Sequence, residues 1–388
     1  MLVIFVKNLT MNTPFIFGKL ASGDDFTDRA EEIIRLKTNF LSGINSIIIS
    51  PRRWGKSSLV EKAAREIRSE NKNIRIISID LFNIRTEDDF YRILAEEVIR
   101  GTTTRLSEIQ SFVKNFFKQW IPKISFSPDH TQEFSLGLNW EEVKKQPDEI
   151  LDLPQRIAKA KGWKIILCID EFQNTGFYDD TLSFQKQLRS HWQRQPDVSY
   201  CLFGSKRHML MNVFTSPSMP FYKFGDIVFL EKIKTSDWEL FITGRFKDTG
   251  KNILPEQSIR IALMVENHPY YVQQLAQQCW LRCTKKMTDD IIEQSHEALT
   301  LQLGLLFQNL TESLTNMQVN YLQAMINEET RLSSSDIISR YHLGTSANVI
   351  RIKNALGEKE IIDIQQGKNE FLDPLYKNWL KHYYFKGK

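Results

Sequence analysis

The segment Ser50–Ser58 carries residue types at a spacing that suits phosphate binding. It matches the pattern G-x-x-x-x-G-K-[ST] at Gly55, Lys56 and Ser57, with Ser50 in the place of the first glycine. Gly55 lets the backbone turn so that successive N–H groups point at an anion. Lys56 would reach the β- and γ-phosphates, and the Ser57 hydroxyl would face Mg2+. The pattern therefore predicts a bound nucleotide, ATP or ADP, with Mg2+.

The whole loop and the helix after it are expected to hold the nucleotide. Ser50 is small and turn-compatible, so its departure from glycine weakens the pattern more than the chemistry. A helix predicted from about Lys56 to Ser69 would aim its positive dipole end at the phosphates. The predicted nucleotide-binding residues of the loop are Ser50, Pro51, Arg52, Arg53, Trp54, Gly55, Lys56, Ser57 and Ser58.

A second chemical signal is the acidic pair Asp170-Glu171, which follows the apolar run Ile165–Ile169 and forms a Walker B pattern. A carboxylate at the end of a buried strand costs desolvation unless it is paired or bound to a metal. We therefore expect Asp170 to support Mg2+ and Glu171 to polarise the water that attacks the γ-phosphate. The pair could instead cap the next helix, but the phosphate loop earlier in the chain favours the metal.

Five apolar runs separated by helix-sized segments predict the elements that position these residues. A parallel α/β sheet flanked by helices is the expected fold class. A helix led by Phe26–Arg29 and ending near Leu41 comes first. The segment of about residues 102–154 is too long for a plain crossover and is predicted to be an insertion, which serves either as an interaction surface or as a cover for the sheet edge. The predicted strands are Ser46–Ile49, Ile74–Leu81, Ile165–Ile169, Tyr200–Phe203 and Ile227–Leu230.

Composition sets the broad class of protein. The 388 residues are 41% hydrophobic and 25% charged, as in an ordinary soluble chain of two or three domains. The longest apolar runs fall far short of the roughly 20 residues that span a bilayer, and the opening residues do not form a secretory signal. Four cysteines, of which Cys279 and Cys283 lack partners for a metal site, fit the cytoplasm. A net charge of +4 neither requires nor excludes nucleic acid.

Four motifs, in this order and at this spacing, resemble the archaeal-type ATPases of prokaryotes, within the AAA+/STAND branch of P-loop NTPases. They are Pro51–Ser58, Ile169–Phe172, Phe203–Ser205 and Asn267–Tyr271. The resemblance covers nearly the whole chain and implies an ATPase core, a helical lid and a C-terminal winged helix. We assign residues 1–23 to an N-terminal arm, 24–232 to the core, 233–312 to the lid and 313–388 to the winged helix.

The same resemblance implies roles for single residues. It places Phe26 and Arg29 near the nucleotide base, and it makes His268 a residue that orients the lid against the nucleotide. Ser205 matches a polar sensor that would touch the γ-phosphate or the attacking water, although its hydroxyl could instead cap the next helix. The predicted catalytic residues are thus Lys56, Glu171 and Ser205. Candidates for a sensor or for an arginine finger in a neighbouring subunit are Arg189, Arg207 and His208.

Three short helices and a hairpin after residue 313 predict the winged helix, whose third helix can enter a DNA major groove. That helix offers Asn348, Arg351, Lys353 and Asn354, and the wing offers Lys368. Residues 313–388 hold ten Lys or Arg and eight Asp or Glu, a net charge of +2, which is a weak footprint for phosphate binding. The partner of this domain is therefore either DNA or a protein.

Two functions are compatible with these residues. The first is an enzyme that hydrolyses ATP with Mg2+ and couples the nucleotide state to movement of the lid and the winged helix. The second is a slow nucleotide-gated switch whose winged helix binds DNA or a partner protein. Assembly into a homo-oligomer fits either function, and neither requires a membrane.

Overall fold

The computed structural model describes residues 13–21, 23–103, 147–365 and 368–386. They divide into two compact units, Arg29–Glu231 and the described residues of Met1–Asp28 together with Lys232–Lys388. Within the predicted insertion the sequence favours a helix at 106–120 and a hairpin formed by 123–127 and 133–137, and both lie outside the described residues. Within the described ranges, no helix combines the length and the apolar character that crossing a membrane requires.

The unit Arg29–Glu231 is built on a sheet of five parallel strands. Their order across the sheet is β2-β3-β4-β1-β5. All five strands coincide with the predicted apolar runs to within two residues, so the parallel α/β sheet is confirmed. The strands are β1 (Ser46–Ile49), β2 (Ile74–Asp80), β3 (Lys164–Asp170), β4 (Val198–Gly204) and β5 (Asp226–Phe229).

Among the described residues, six helices flank this sheet and bury its apolar side chains. Strands β1, β3 and β4 are buried along most of their length. This burial on both faces of the sheet explains why their sequences are mostly apolar without alternation. Cys168 and Cys201 are opposite each other on β3 and β4, buried and free, as expected of core thiols. The helices are α1 (Ala30–Ser42), α2 (Lys56–Glu70), α3 (Glu87–Thr102), α4 (Pro147–Lys161), α5 (Thr181–Trp192) and α6 (Arg207–Thr215).

Helix α4 changes the predicted extent of the insertion, which was expected to reach Pro154. The helix runs through Pro154, although proline cannot donate the bond to the carbonyl one turn before it. Ile150, Leu151 and Ile157 are fully buried in the core around this helix. The helical spacing of these apolar residues outweighs the break at proline, so residues 147–154 belong to the flanking layer of the sheet.

The other unit is helical and contains one short antiparallel hairpin near its C-terminal end. Three helices followed by the antiparallel pair β6 and β7 reproduce the predicted winged-helix pattern. One hydrophobic core runs through the earlier helices and the winged helix alike. The elements are α7 (Thr235–Asp248), α8 (Pro255–Met264), α9 (Pro269–Arg282), α10 (Asp289–Gln302), α11 (Gly304–Glu312), α12 (Asn316–Ile326), α13 (Ser335–Arg340), α14 (Ser346–Glu358), β6 (Ile362–Gln365), β7 (Lys368–Phe371) and α15 (Pro374–Trp379).

The N-terminal residues from 13 onward are part of this helical unit rather than a separate arm. Phe15 is 1% exposed, and its ring lies 5.7 Å from that of Phe246 and 6.1 Å from that of Phe241. Gln277 donates a hydrogen bond of 3.0 Å to the Thr13 hydroxyl. The N-terminal arm predicted at residues 1–23 is thus packed into the core from residue 13 onward, because the Phe15 side chain is buried there, and residues 1–12 lie outside the described residues.

Replacing this aromatic side chain tests the packing. We expect Phe15→Ala to lower the free energy of unfolding by about 3–5 kcal/mol, because it removes a buried ring and leaves a cavity. Urea denaturation followed by tryptophan fluorescence measures the change. Leu20→Ala is the control, since Leu20 is 56% exposed and should cost little. Equal stability of the two variants would contradict the packing of Phe15.

Candidate functional site

Three neighbouring strands bring the predicted chemical residues to one edge of the sheet. β1 pairs with β4, and β4 pairs with β3, all in parallel. The carboxyl ends of parallel strands meet at the same edge, where ligands bind in open α/β sheets. Ser50 follows β1, Ser205 follows β4, and Asp170 ends β3. Residues far apart in the sequence thereby become neighbours.

The loop after β1 owes its shape to two residues with positive φ. Arg53 has φ 65° and Gly55 has φ 91°, the left-handed region that glycine enters without strain. Helix α2 begins at the next residue, Lys56, with the Leu59 N–H donating to the Gly55 carbonyl at 2.9 Å. A side chain at Gly55 would have open space around it but a strained backbone. The predicted need for glycine is therefore conformational.

Lys56 is held against the start of this loop. Its Nζ donates to the carbonyls of Pro51 at 2.9 Å and Ser50 at 3.2 Å, and the residue is only 5% exposed. Ser50, which is also buried, donates its hydroxyl to the Pro51 carbonyl at 3.2 Å. An ammonium group can share its three donors between these carbonyls and an anion. The loop thus keeps a positive charge next to its own backbone.

Ser57 and Asp170 join the loop to the end of β3. The Ser57 hydroxyl donates to Asp170 Oδ2 at 2.8 Å, and the Glu171 N–H donates to Oδ1 at 2.8 Å. Burial raises the pKa of the Asp170 carboxyl to about 6, against the opposing effect of these two bonds. A hydroxyl and a carboxylate are hard oxygen ligands, and a cation beside them would offset the desolvation. The pair therefore fits Mg2+.

Glu171 lies next to Ser205, which follows the adjacent strand. Glu171 has φ 53°, and its Oε2 accepts hydrogen bonds from the Ser205 hydroxyl at 3.0 Å and the Ser205 N–H at 3.3 Å. Gln173 Nε2 also donates to this oxygen. Helix α6 begins after Lys206 without a side-chain cap, so Ser205 does not cap it. The serine hydroxyl instead holds the carboxylate of Glu171.

Arg29 contacts the loop from the start of helix α1. It is 4% exposed and has φ 71°. Its Nη2 donates to the Glu231 carbonyl at 2.6 Å and, more weakly, to the Trp54 carbonyl at 3.5 Å, while Nη1 pairs with Glu32 at 3.0 Å. The resemblance placed Arg29 near the nucleotide base. In the structure its guanidinium group braces the backbone of the loop.

Phe26 and His268 belong to the helical unit, so their predicted nucleotide contacts stay predictions. Phe26 is half-buried, and its N–H donates to the Gly23 carbonyl at 3.3 Å. His268 precedes α9 and is buried, with its ring 4.9 Å from the Tyr271 ring. Tyr271 in turn donates to Asp373 at 2.5 Å. The motif Asn267–Tyr271 thus joins the predicted lid to the start of helix α15.

The residues proposed for a sensor or an arginine finger occupy three different settings. The guanidinium group of Arg189 lies 4.7 Å from the centre of the Phe224 ring. Arg207 is the first residue of α6, and His208 beside it is exposed. A sensor or a finger is defined by its contact with the nucleotide, so these assignments stay predictions.

Helix α14 presents only part of the predicted DNA-binding set to solvent. Arg351 and Asn354 are exposed, and Lys353 is half-buried. Asn348 donates its amide to the Leu343 carbonyl at 2.8 Å and to Met317 Sδ at 3.0 Å, so it fastens the start of the helix to its own domain. Its predicted contact with DNA stays a prediction. The side chain of Lys368 lies outside the described residues.

Comparisons with known proteins support the fold. Residues 305–382 match a family model described as "Probable winged helix domain". No curated protein matches the chain significantly. The solved structure of the Walker-type ATPase PABY2304 of Pyrococcus abyssi is similar at a TM-score of 0.66 and 18% identity, over 95% of this chain and 99% of that one.

Two further solved structures are less similar. The ORC1 protein of Aeropyrum pernix, in complex with DNA, has a TM-score of 0.47 at 13% identity, over 94% of each chain. The RuvB Holliday junction branch migration motor of Thermotoga maritima has a TM-score of 0.41 at 13% identity, over 92% of this chain and 96% of that one. The fold comparison therefore rests on the Pyrococcus protein. The chain has the P-loop ATPase fold, a five-stranded parallel sheet with flanking helices, followed by a C-terminal winged helix.

Removing Arg29 separates bracing of the loop from contact with a nucleotide. We expect Arg29→Ala to lower the free energy of unfolding by about 1–3 kcal/mol without nucleotide, because the Glu231 carbonyl loses a charged donor. Arg52→Ala is the control from the same loop, since Arg52 is exposed. Denaturant titration measures both. Unchanged stability of Arg29→Ala, with weaker nucleotide binding, would instead support contact with the base.

Proposed function

We propose that this chain binds ATP and hydrolyses it to ADP and phosphate with the help of Mg2+. The observation that carries the proposal is the bond of 2.8 Å between Ser57 and Asp170. It joins a loop of phosphate-binding composition to an acidic strand end, across β4. The fold similarity to a Walker-type ATPase supports the same reaction. Four buried, free thiols fit a reducing compartment, and we place the activity in the cytoplasm.

The phosphates would bind at the loop and at the start of α2. The first N–H groups of α2 lack helical partners, and the helix dipole adds positive potential there. Lys56 would share its ammonium protons with the β- and γ-phosphate oxygens. Ser57 and Asp170 would hold Mg2+, which when bound offsets the negative charge of the phosphates. The backbone of the loop, braced by Arg29, would keep the donors in place.

Glu171 would orient the water that attacks the γ-phosphate. Its carboxylate lies at the end of β3, one residue after Asp170, and is held by Ser205. A carboxylate that accepts a proton from water aligns the oxygen for in-line attack and takes up the proton as the new bond forms. Ser205 would thereby act on Glu171 as well as on the phosphate, which gives the predicted sensor a defined contact.

Glu171→Gln separates hydrolysis from binding. We expect this variant to keep its affinity for ATP and to lose about 10²- to 10⁴-fold in turnover, because an amide cannot accept the proton. Phosphate release measures turnover, and a fluorescent ATP analogue measures affinity. Lys56→Ala is the matched control that should lose affinity itself. Wild-type turnover in Glu171→Gln would remove Glu171 from the reaction and with it the proposed mechanism.

A second candidate function is a nucleotide-gated binding module that acts through the winged helix. The exposed side of α14 places Ile350, which is 54% exposed, beside Arg351, Asn354 and Glu358. An apolar side chain between charges of both signs suits a protein surface better than a row of phosphates. We infer that a protein, which includes a second copy of this chain, is the better-supported partner and that DNA is the alternative. Hydrolysis would then reset the module slowly.

The DNA alternative has a salt signature. If duplex DNA binds α14, the affinity falls steeply with salt, and Arg351→Ala lowers the slope of log K against log salt by about 1. Fluorescence anisotropy with labelled duplex measures the slope in the presence of ATP and of ADP. Glu358→Ala on the same helix is the control and should not weaken binding. No retention of DNA at about 50 mM salt would leave the protein partner.

A further inference from the structure

We propose that Gln173 is a positioning residue for Glu171. Gln173 fixes one oxygen of the Glu171 carboxylate and leaves the other oxygen to accept the proton of the water. The inference rests on the proposed ATPase function and adds a residue to it. Gln173 lies in the short 3-10 helix Phe172–Phe177, directly after the acidic pair. The sequence gives no sign of this role, because a glutamine in that place reads as an ordinary polar residue of a turn.

The first evidence is an unequal distribution of donors on the Glu171 carboxylate. Oε2 accepts from Gln173 Nε2, from the Ser205 hydroxyl and from the Ser205 N–H. Among the described residues, none donates to Oε1. A glutamate side chain has freedom about three torsions, and fastening one oxygen removes most of it. The unfastened oxygen is then presented in one orientation, which a general base needs.

The second piece of evidence is that burying the Gln173 side chain is energetically unfavourable. The residue is 1% exposed, and its Oε1 is a buried acceptor for which the described residues supply no donor. Buried polar atoms without partners are rare because they lose their bonds to water. A glutamine that served packing alone would gain nothing from this arrangement. The hydrogen bond from Gln173 Nε2 to Glu171 is therefore the favourable interaction that this buried position provides.

The third evidence is the glycine that makes room for Gln173. A Cβ at Gly204 would overlap Gln173 Oε1, lie 2.9 Å from Gln173 Cδ and lie 3.3 Å from the Glu171 Cα. Gly204 is the last residue of β4 and does not have a positive φ, so its requirement is one of space. The end of β4 therefore supplies Ser205 to the carboxylate and a gap for the glutamine beside it.

The chain offers a matched control nearby. Gln185 on α5 is fully buried, and its Oε1 also lacks a described donor. Its Nε2 donates to the Thr175 hydroxyl at 3.4 Å and not to Glu171. Gln173→Leu and Gln185→Leu remove the same atoms from two buried sites, of which only one contacts the proposed base.

The test measures ATP turnover, ATP affinity and thermal unfolding of the full chain. We expect Gln173→Leu to lower kcat about 10- to 100-fold, because a misplaced base loses much of its effect, and to leave KM and the affinity for ATP unchanged. Gln185→Leu should keep wild-type kcat. Gly204→Ala should displace Gln173 and lower kcat similarly. Combining Gly204→Ala with Gln173→Leu should add no further loss, since both act through one contact.

Other outcomes would overturn the inference. Wild-type or faster turnover in Gln173→Leu would show that the glutamine is idle or restrains Glu171. Equal losses of kcat and of melting temperature in Gln173→Leu and Gln185→Leu would reduce the role to packing. The background Glu171→Gln separates this failure from that of the proposed function. If Glu171→Gln is inactive, adding Gln173→Leu should change nothing, whereas an active Glu171→Gln contradicts the ATPase mechanism whatever Gln173 does.

Discussion

The parallel pairing of β1 with β4, and of β4 with β3, is the constraint on which the candidate site depends. Each pair is fixed by a ladder of backbone hydrogen bonds and by side chains that pack on both faces of the sheet. The three strands end together. The loop at Ser50, the donor Ser205 and the acidic pair at Asp170 consequently share one edge of the sheet, and no local sequence contact could hold them there.

Burial at this edge of the sheet raises the desolvation free energy of each charged side chain. Each charge is therefore paired with hydrogen-bonding groups of the protein. Lys56 is bound to two carbonyls of its own loop, and Asp170 to a hydroxyl and an N–H. These bonds are of the kind that phosphate oxygens and a cation could replace or share. Because the partners are already oriented, binding would require little rearrangement of the backbone. The raised pKa of the Asp170 carboxyl reflects the same burial.

The sheet and the phosphate-binding loop could be predicted from local sequence patterns. The remaining features depend on contacts between residues that are far apart in the sequence, which local patterns do not show. The buried strands could be read directly because both faces are apolar, and Gly55 because its turn demands glycine. The role of Gln173 could not be predicted from local sequence, because its position depends on the space left by Gly204 at the end of another strand. The predicted end of the insertion near Pro154 was wrong, because burial of the neighbouring apolar side chains stabilises the helix more than one missing hydrogen bond destabilises it. The contacts of Asn348 with its own domain were hidden for a related reason, since they join a helix to a loop earlier in the chain.

Within the helical unit, contacts bind the predicted lid to the winged helix. Tyr271 donates to Asp373, and Lys377 pairs with Glu266 at 2.7 Å, while one core runs through both parts. Glu266 and Asn267 both have positive φ, a costly backbone that the surrounding contacts must maintain. A shared core and paired side chains make the two parts resist separate motion. The predicted lid and the winged helix therefore form one packed body within this unit.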